Sequence, residues 1–215
     1  MSVQGENWDA IFSRKGRVFK EPHSDVMTFT EELKQAGLLR VLDLGCGSGR
    51  HVVYLKQQGF HVIGLDSAPH GLQLTQAWLE EEMLAAPLVL ADAHDPLPFP
   101  DAAFDAIVCI KVIHHGLRGR VLGAVSEIRR ILRPGGMLLL GVPGRKKRMV
   151  HSDEIEPHTY VSCDGWEKGI PHYIFSRSEL LQEFTGYEIL ELKLSARQFI
   201  LKSKKQDHKG THAKG

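Results

Sequence analysis

The sequence predicts an α/β protein built on a doubly wound, mainly parallel sheet with helices on both faces. Apolar segments of strand length alternate with segments of helical periodicity between residues 38 and 142, as in successive βαβ units. Three of the predicted strands also end in an aspartate, at Asp43, Asp66 and Asp92. The carboxyl ends of parallel strands meet at one edge of a sheet, so we expect these three side chains to line a single crevice.

The first predicted strand, residues 38–44, runs into a turn that holds three glycines on alternate positions, Gly45, Gly47 and Gly49. A helix over residues 49–58 follows. This order is typical of nucleotide-binding sites, because residues without a Cβ allow a tight turn and a close approach of backbone to ligand. Asp43 stands two places before the first glycine, where its carboxylate would repel a pyrophosphate but can hold an ammonium group. The pattern favours a nucleoside with an amino-acid tail over a dinucleotide.

With these residues the chain resembles the class I S-adenosylmethionine (SAM) methyltransferases, and within them the methyltransferase type 11 group. The resemblance covers residues 38–142 well and the remainder weakly. It implies a seven-stranded sheet in a three-layer αβα arrangement, SAM as cofactor and S-adenosylhomocysteine as product. The expected cofactor-binding residues are Asp43, Gly45, Cys46, Gly47, Gly49, Asp66, Ser67, Asp92, Ala93 and Cys109.

Two of the three aspartates have a specific expected partner on this ligand. Asp66 ends the second predicted strand, residues 61–65, and lies 23 positions after Asp43, close to the offset of a ribose-binding carboxylate. Such a carboxylate can accept hydrogen bonds from both ribose hydroxyls. Asp92 follows the third predicted strand, residues 87–91. The resemblance implies that Asp92 accepts from the adenine amino group and that the backbone N–H of Ala93 meets a ring nitrogen.

The fourth predicted strand, residues 104–110, is continuously apolar, as expected of a central parallel strand, and leads to His114 and His115. The resemblance implies that this strand end approaches the transferring methyl. Histidine titrates near neutral pH, so either imidazole is a candidate base for an oxygen or nitrogen acceptor. A histidine pair at a helix entrance also serves as a cap or a packing element, and a carboxylate acceptor needs no base.

The connection from the fourth predicted strand to the fifth is more conventional. A helix is predicted over residues 119–132, followed by a Leu-Arg-Pro-Gly-Gly turn, residues 132–136, and a fifth strand, residues 137–142. The turn also resembles the methyltransferase family, and its expected role is structural.

Residues 1–37 are predicted to form two helices that pack on the sheet edge, and the resemblance implies that residues 8–25 also fold over the cofactor as a lid. Residues 143–177 read as a long irregular insertion on the substrate side, of a length more typical of functional loops. Its expected substrate-binding residues are His158, Tyr160, His172 and Tyr173.

The chain is expected to end in a helix over residues 178–185, a hairpin and a disordered tail. The hairpin is predicted over residues 187–194 and 196–202, and the tail over residues 203–215. We expect residues 1–202 to form one domain.

Composition excludes little. Lys and Arg number 27 and Asp and Glu 26, so no global field draws the protein to nucleic acid or membrane. The three cysteines match no zinc or disulfide spacing, and we expect no metal site. The chain shows neither an apolar run of membrane-spanning length nor a signal-peptide core, which leads us to expect a cytoplasmic protein.

Three functions compete. The preferred one is methyl transfer from SAM to an O or N atom of a small-molecule acceptor. The second is RNA modification, because residues 109–115 and 127–136 look like the tRNA wobble-uridine carboxymethyl methyltransferases. Three basic clusters could also contact phosphates, namely Arg129/Arg130/Arg133, residues 145–148 and residues 202–205. The third is a SAM-binding regulator without catalysis. The oligomeric state is left open.

Overall fold

The computed structural model describes residues 8–144, 152–163, 167–195 and 197–207. Its helices are α1 (Trp8–Lys15), α2 (Ser24–Gln35), α3 (Arg50–Gln57), α4 (Pro69–Glu81), α5 (Arg118–Ile131) and α6 (Arg177–Glu183). Its strands are β1 (Arg40–Leu44), β2 (His61–Asp66), β3 (Leu88–Leu90), β4 (Phe104–Ile110), β5 (Leu132–Pro143), β6 (Ser152–Glu156), β7 (Thr159–Ser162), β8 (Pro171–Tyr173), β9 (Tyr187–Ser195) and β10 (Gln198–Lys205).

Seven of these strands form the main sheet, in the order β3-β2-β1-β4-β5-β10-β9. The first five pair in parallel, and β10 runs antiparallel between β5 and β9. The predicted fold class is therefore confirmed. The chain builds outwards from β1 to β3 and then returns to the other side of β1 with β4. This reversal places a crevice at the carboxyl ends of β1 and β4, the usual ligand site of an open α/β sheet.

Hydrophobic side chains cover both faces of the sheet and make it the middle of three layers. One cluster joins the strands to α5 and α6, and the other joins them to α2, α3 and α4. Alternate residues of β1 divide between the two, with Val41 in one and Leu42 in the other. Every residue of β4 is buried, which explains its continuous apolar run.

Local signals set the ends of several helices. Pro69 occupies the first turn of α4, where its missing N–H costs nothing. Ser176 caps α6 through a reciprocal pair of hydrogen bonds with Glu179.

Three predictions about the second half of the chain need correction. The insertion is not wholly irregular, because β6, β7 and β8 form a separate antiparallel sheet. The Leu-Arg-Pro-Gly-Gly segment is the start of β5, where the pairing with β4 skips from Phe104↔Leu132 to Ala106↔Met137 and the extra residues bulge out. Residues 203–205 belong to β10 and not to a tail. The rest of the predicted tail, residues 208–215, and the basic block 145–148 lie outside the described residues.

Candidate functional site

A cavity of about 380 Å³ opens at the predicted crevice. Its inner wall is the β1–α3 turn together with the ends of β2 and β3 and the residues that follow β4. Trp8, Phe12 and Phe19 from the N-terminal segment cover one side, and the segment 167–171, which enters β8, closes the other. Residues widely separated in the sequence thus enclose one space.

The glycine turn is held close to β2 by backbone hydrogen bonds. Gly45 N and Cys46 N both donate to Leu65 O, at 2.7 and 2.9 Å. Gly45 has a φ of 77°, and a Cβ built there would lie 2.2 Å from a methyl of Val112, so this position accepts only glycine. Gly49 faces Thr75 of α4 and does not line the cavity, so its contact with the ligand stays a prediction.

Asp66 closes the turn from the side of β2 and lines the cavity together with Ser67. Its carboxylate accepts from Gly47 N at 2.7 Å and from Ala68 N at 2.9 Å. Burial raises the pKa of this carboxyl to about 6, although the two backbone donors oppose the shift. A carboxylate has roughly four lone-pair sites, so the ionised group keeps capacity for ligand hydroxyls.

Asp43 lies directly before the glycine turn and is only 1% exposed. Its Oδ2 atom is buried without a hydrogen-bond partner, and its Oδ1 lies 3.6 Å from Nδ1 of His51. A buried carboxylate oxygen without a donor is costly. The site therefore suits a ligand that carries a donor such as an ammonium group, although Asp43 itself is not part of the cavity wall.

Asp92 faces the cavity after β3 and is already well bonded. His94 donates to Asp92 Oδ1 from its backbone N–H and shares a 2.9 Å contact through Nδ1, and Arg120 reaches Oδ2 at 3.1 Å. These partners, His94 first, hold the pKa of the Asp92 carboxyl well below its usual range. One lone-pair site of roughly four is left, which suits a single donor such as an exocyclic amine. Ala93 lines the cavity beside it, and its contact with a ring nitrogen stays a prediction.

The end of β4 presents different residues from those expected. Cys109 is fully buried in the core cluster, and burial raises the pKa of its thiol to about 12. It does not line the cavity, and the lining residues of this stretch are Ile110, Lys111 and Val112. Adjacent residues of a strand point to opposite faces, which explains why Ile110 lines the cavity and Cys109 does not. The contact of Cys109 with the ligand stays a prediction.

Of the two predicted catalytic histidines, only His115 lines the cavity. His114 is 5% exposed and packs behind it, with ring centroids 3.8 Å apart. Burial lowers the pKa of His115 to about 3 and lowers that of His114 as well, so both rings are neutral near pH 7. The ring of Trp8 covers His115 at a centroid distance of 5.1 Å.

The predicted substrate-binding residues divide into two groups. His172 packs against the histidine pair, at 5.5 Å from His114 and 5.0 Å from His115. His158 and Tyr173 instead meet at Glu179 Oε1, at 3.1 and 2.8 Å, and neither lines the cavity. Tyr160 sits on β7 opposite His172 and is likewise outside the wall. For these last three residues the contact with a ligand stays a prediction, and the contacts that the structure shows are structural ones.

Sequence reasoning missed several polar wall residues, namely Arg50, His51, His94, Lys111 and Glu167. Two of them had a local signal. Arg50 and His51 open the helix after the glycine turn, so their first-turn position could have placed them at the ligand. Glu167 had none, because only the folding of β8 against residue 115 brings it to the cavity.

Comparison with known proteins agrees with this geometry. Residues 42–140 match the family model described as "Methyltransferase domain". The chain is 32% identical over 142 residues to "Probable tRNA methyltransferase 9B" of Bos taurus, covering 64% of this chain and 29% of that protein. It is 34% identical over 113 residues to "O-methyltransferase rstn1" of Aspergillus nomiae, covering 51% and 49% respectively. The chain thus spans less than half of either curated relative.

A solved structure resembles the whole described fold. The 1,6-didemethyltoxoflavin-N1-methyltransferase of Burkholderia thailandensis, with 1,6-didemethyltoxoflavin and S-adenosylhomocysteine bound, superposes with a TM-score of 0.64 at 19% identity. The superposition covers 91% of this chain and 83% of the other. At this identity the likeness shows the fold alone.

Residues 42–140 of the chain form a methyltransferase domain, and this part carries the glycine turn and most of the cavity wall. The match confirms the resemblance to the class I SAM-dependent methyltransferases of the type 11 group that the glycine run implied. The predicted cofactor, SAM, is confirmed at the level of the family. The residues present fit it, since the orphaned Asp43 oxygen suits its ammonium and the remaining capacity of Asp66 suits its ribose. Among the described residues, no helix has the length and apolar character needed to cross a membrane.

Proposed function

We propose that this protein transfers a methyl group from SAM to an oxygen or nitrogen atom of a small-molecule acceptor. The observation that carries the proposal is the enclosure of the cavity on its outer side. Trp8 and Phe12 cover it from α1, and Ile170 and Pro171 close it at the start of β8. A concave site that combines aromatic and apolar cover with polar groups at fixed positions is typical of small-molecule binding.

When bound, the cofactor supplies a methyl group already activated on a sulfonium. The chain then has to hold the donor, orient the acceptor and exclude water. Asp66 and Asp92 hold the nucleoside through the acceptor capacity described above, and Asp43 attracts the ammonium. Orientation of two reactants can supply roughly 7–11 kcal/mol of barrier reduction. His115 and Lys111 lie at the end of β4, where an acceptor would be positioned.

The contacts of the basic clusters favour a small molecule over RNA. Arg130 bonds to Glu127 and Asp101, and Arg133 bonds to Asp105. Lys202 reaches Glu32 at 2.6 Å. Side chains already paired within the fold gain less from a phosphate, because each has to break an existing ion pair first.

RNA is the second candidate because the bovine relative is a probable tRNA methyltransferase. The basic block 145–148, which lies outside the described residues, also carries charges that could contact phosphates. If RNA is the acceptor, tRNA binding will weaken steeply with salt and with neutralisation of that block. A tRNA affinity that does not change with salt concentration would exclude RNA as the acceptor.

The deciding experiment is incubation with SAM carrying a labelled methyl group, against separate small-molecule and RNA fractions of a cell extract. We expect label in the small-molecule fraction with the wild type and none with Asp66→Asn. Label only in RNA would replace the first candidate by the second. SAM binding without transfer to either fraction would favour the non-catalytic regulator.

A further inference from the structure

Three imidazoles meet at the acceptor side of the cavity. One ring nitrogen from each of His114, His115 and His172 can be chosen so that all lie within 4.8 Å of one another. Nδ1 of His114 and Nε2 of His115 are buried and have no hydrogen-bond partner. Buried polar atoms without a partner are rare in native proteins, and each one needs an explanation.

The third imidazole faces a carboxylate with its second nitrogen. His172 contacts Ile170 O through Nδ1 at 2.8 Å, so Nδ1 carries the proton, because a carbonyl oxygen only accepts. In the neutral ring Nε2 then has a bare lone pair, yet it lies 3.2 Å from Oε2 of Glu167. Two acceptors repel at this distance unless a cation or a further proton lies between them. A metal ion bound by both groups would remove this repulsion, and the neighbouring rings of His114 and His115 could supply further nitrogen ligands.

The backbone fixes this arrangement before any ion binds. Tyr173 N donates to His114 O at 2.8 Å, and His115 and His172 form an antiparallel bridge. The histidine pair after β4 and the strand β8 are therefore locked together. Preorganisation of this kind lowers the cost of assembling a metal site.

From this geometry we infer that His114, His115, His172 and Glu167 form a binding site for one divalent transition-metal ion beside the SAM cavity. Three imidazoles and a carboxylate suit Zn²⁺, Co²⁺ or Fe²⁺ better than Mg²⁺ or Ca²⁺, which prefer oxygen ligands. Nitrogen ligands of a tetrahedral zinc lie roughly 3.4 Å apart, given a Zn–N distance of about 2.0–2.1 Å. The chosen nitrogens, which lie within 4.8 Å of one another, have to approach to about this distance when the ion binds.

A metal here gives the proposed methyl transfer a way to ionise its acceptor, and this part of the inference rests on the proposed function. His115 and Glu167 both line the cavity, so an ion between them is open to a ligand there. The acceptor class is an alcohol, phenol or enol that binds through oxygen and releases its proton to solvent. That oxygen forms the new C–O bond, the S–C bond breaks, and its electron pair stays on the sulfur as a neutral thioether.

The test measures metal binding directly. The full chain is stripped with a chelator and titrated with Zn²⁺ by calorimetry, and with Co²⁺ by visible absorption. The sequence carries His208 and His212 near its C-terminus, so all proteins in the test carry His208→Gln and His212→Gln to remove those ligands. We expect one equivalent of metal to bind, with Co²⁺ bands of a nitrogen-rich site.

Variants then assign the site. His172→Gln is expected to weaken Zn²⁺ binding by at least 100-fold and Glu167→Gln by 10–100-fold, the range found for groups that support a metal site. His61→Gln is the matched control. It removes one exposed imidazole at the start of β2, the end away from the cavity, and should leave Zn²⁺ binding unchanged. Circular dichroism of each variant checks that it is folded, and His115→Asn provides a second removal if His172→Gln is not.

Two results would overturn the inference: no stoichiometric binding, or binding that His172→Gln and Glu167→Gln leave unchanged. S-adenosylhomocysteine binding, measured on the same samples, separates this from the proposed function. Cofactor binding without metal binding rejects the metal site alone. Metal binding without cofactor binding rejects the proposed methyl transfer and its oxygen acceptor, and keeps the site.

Discussion

The raised pKa of Asp66 makes cofactor binding dependent on pH. Burial lifts this pKa from 3.8 to about 6, so the free protein holds Asp66 mainly protonated below pH 6. A ribose that donates to the carboxylate favours the ionised form. At pH 5 about one molecule in eleven is ionised, so affinity should fall roughly tenfold relative to pH 8, about 1.4 kcal/mol.

The same shift affects stability with the opposite sign. The folded pKa lies above the unfolded one, so the contribution of Asp66 is fully present below pH 3.8 and is lost as pH rises through about 6. The loss amounts to about 3 kcal/mol, from a shift of roughly two pKa units. Ligands that stabilise the charged carboxylate should therefore raise the melting temperature more at pH 8 than at pH 5.

Calorimetry with S-adenosylhomocysteine between pH 5 and 8 measures this directly. We expect the dissociation constant to rise tenfold per unit below pH 6 and to be flat above pH 7. Near pH 6 binding should release about half a proton, detected as a dependence of the heat on the buffer. Asp66→Asn should bind weakly and lose the pH dependence. A flat profile for the wild type, or an equal slope in the variant, would refute the role of Asp66.

Three further outcomes are expected. Gly45→Ala should abolish cofactor binding and lower stability by more than Gly59→Ala, because both have positive φ but only the first Cβ meets a neighbour; equal losses on denaturant unfolding would contradict this. Cofactor binding should change the fluorescence of the wild type and of Trp78→Phe but not of Trp8→Phe, and an undiminished change in Trp8→Phe would place the signal elsewhere. Tyr173→Phe should cost about 1.5–3 kcal/mol of stability through its lost bond to a carboxylate and leave the cofactor dissociation constant unchanged; a weaker affinity would return this tyrosine to the ligand site.

The sheet was predictable because its order depends on local patterns. Each parallel strand is an apolar run that ends at a polar residue or a glycine, and the observed bounds of β1, β2 and β4 agree with the predicted ones to within two residues. Asp66 and Asp92 could be placed for the same reason, since strand ends in a parallel sheet share one edge. Chain topology therefore carries most of the cofactor side.

The acceptor side depends on contacts that no local pattern encodes. His158 and Tyr173 have the composition of a binding loop, yet Glu179 of α6 holds them away from the cavity. Glu167 reaches it only through β8, which pairs with β7 and bridges to His115. The identity of strand neighbours in such a small sheet is set by tertiary packing, which outweighs residue preference.

The glycine turn touches two distant parts of the chain at once. A Cβ on Gly45 would clash with Val112, and a Cβ on Gly47 would clash with Phe12. The backbone of the turn therefore fits between Val112, shortly after β4, and helix α1. A protein shortened to begin at β1 could still form the central sheet. It would lose the contact that Phe12 of α1 makes with one side of the glycine turn. Such a fragment should retain the secondary structure of its sheet while exchanging the amide protons of the turn much faster than the full chain.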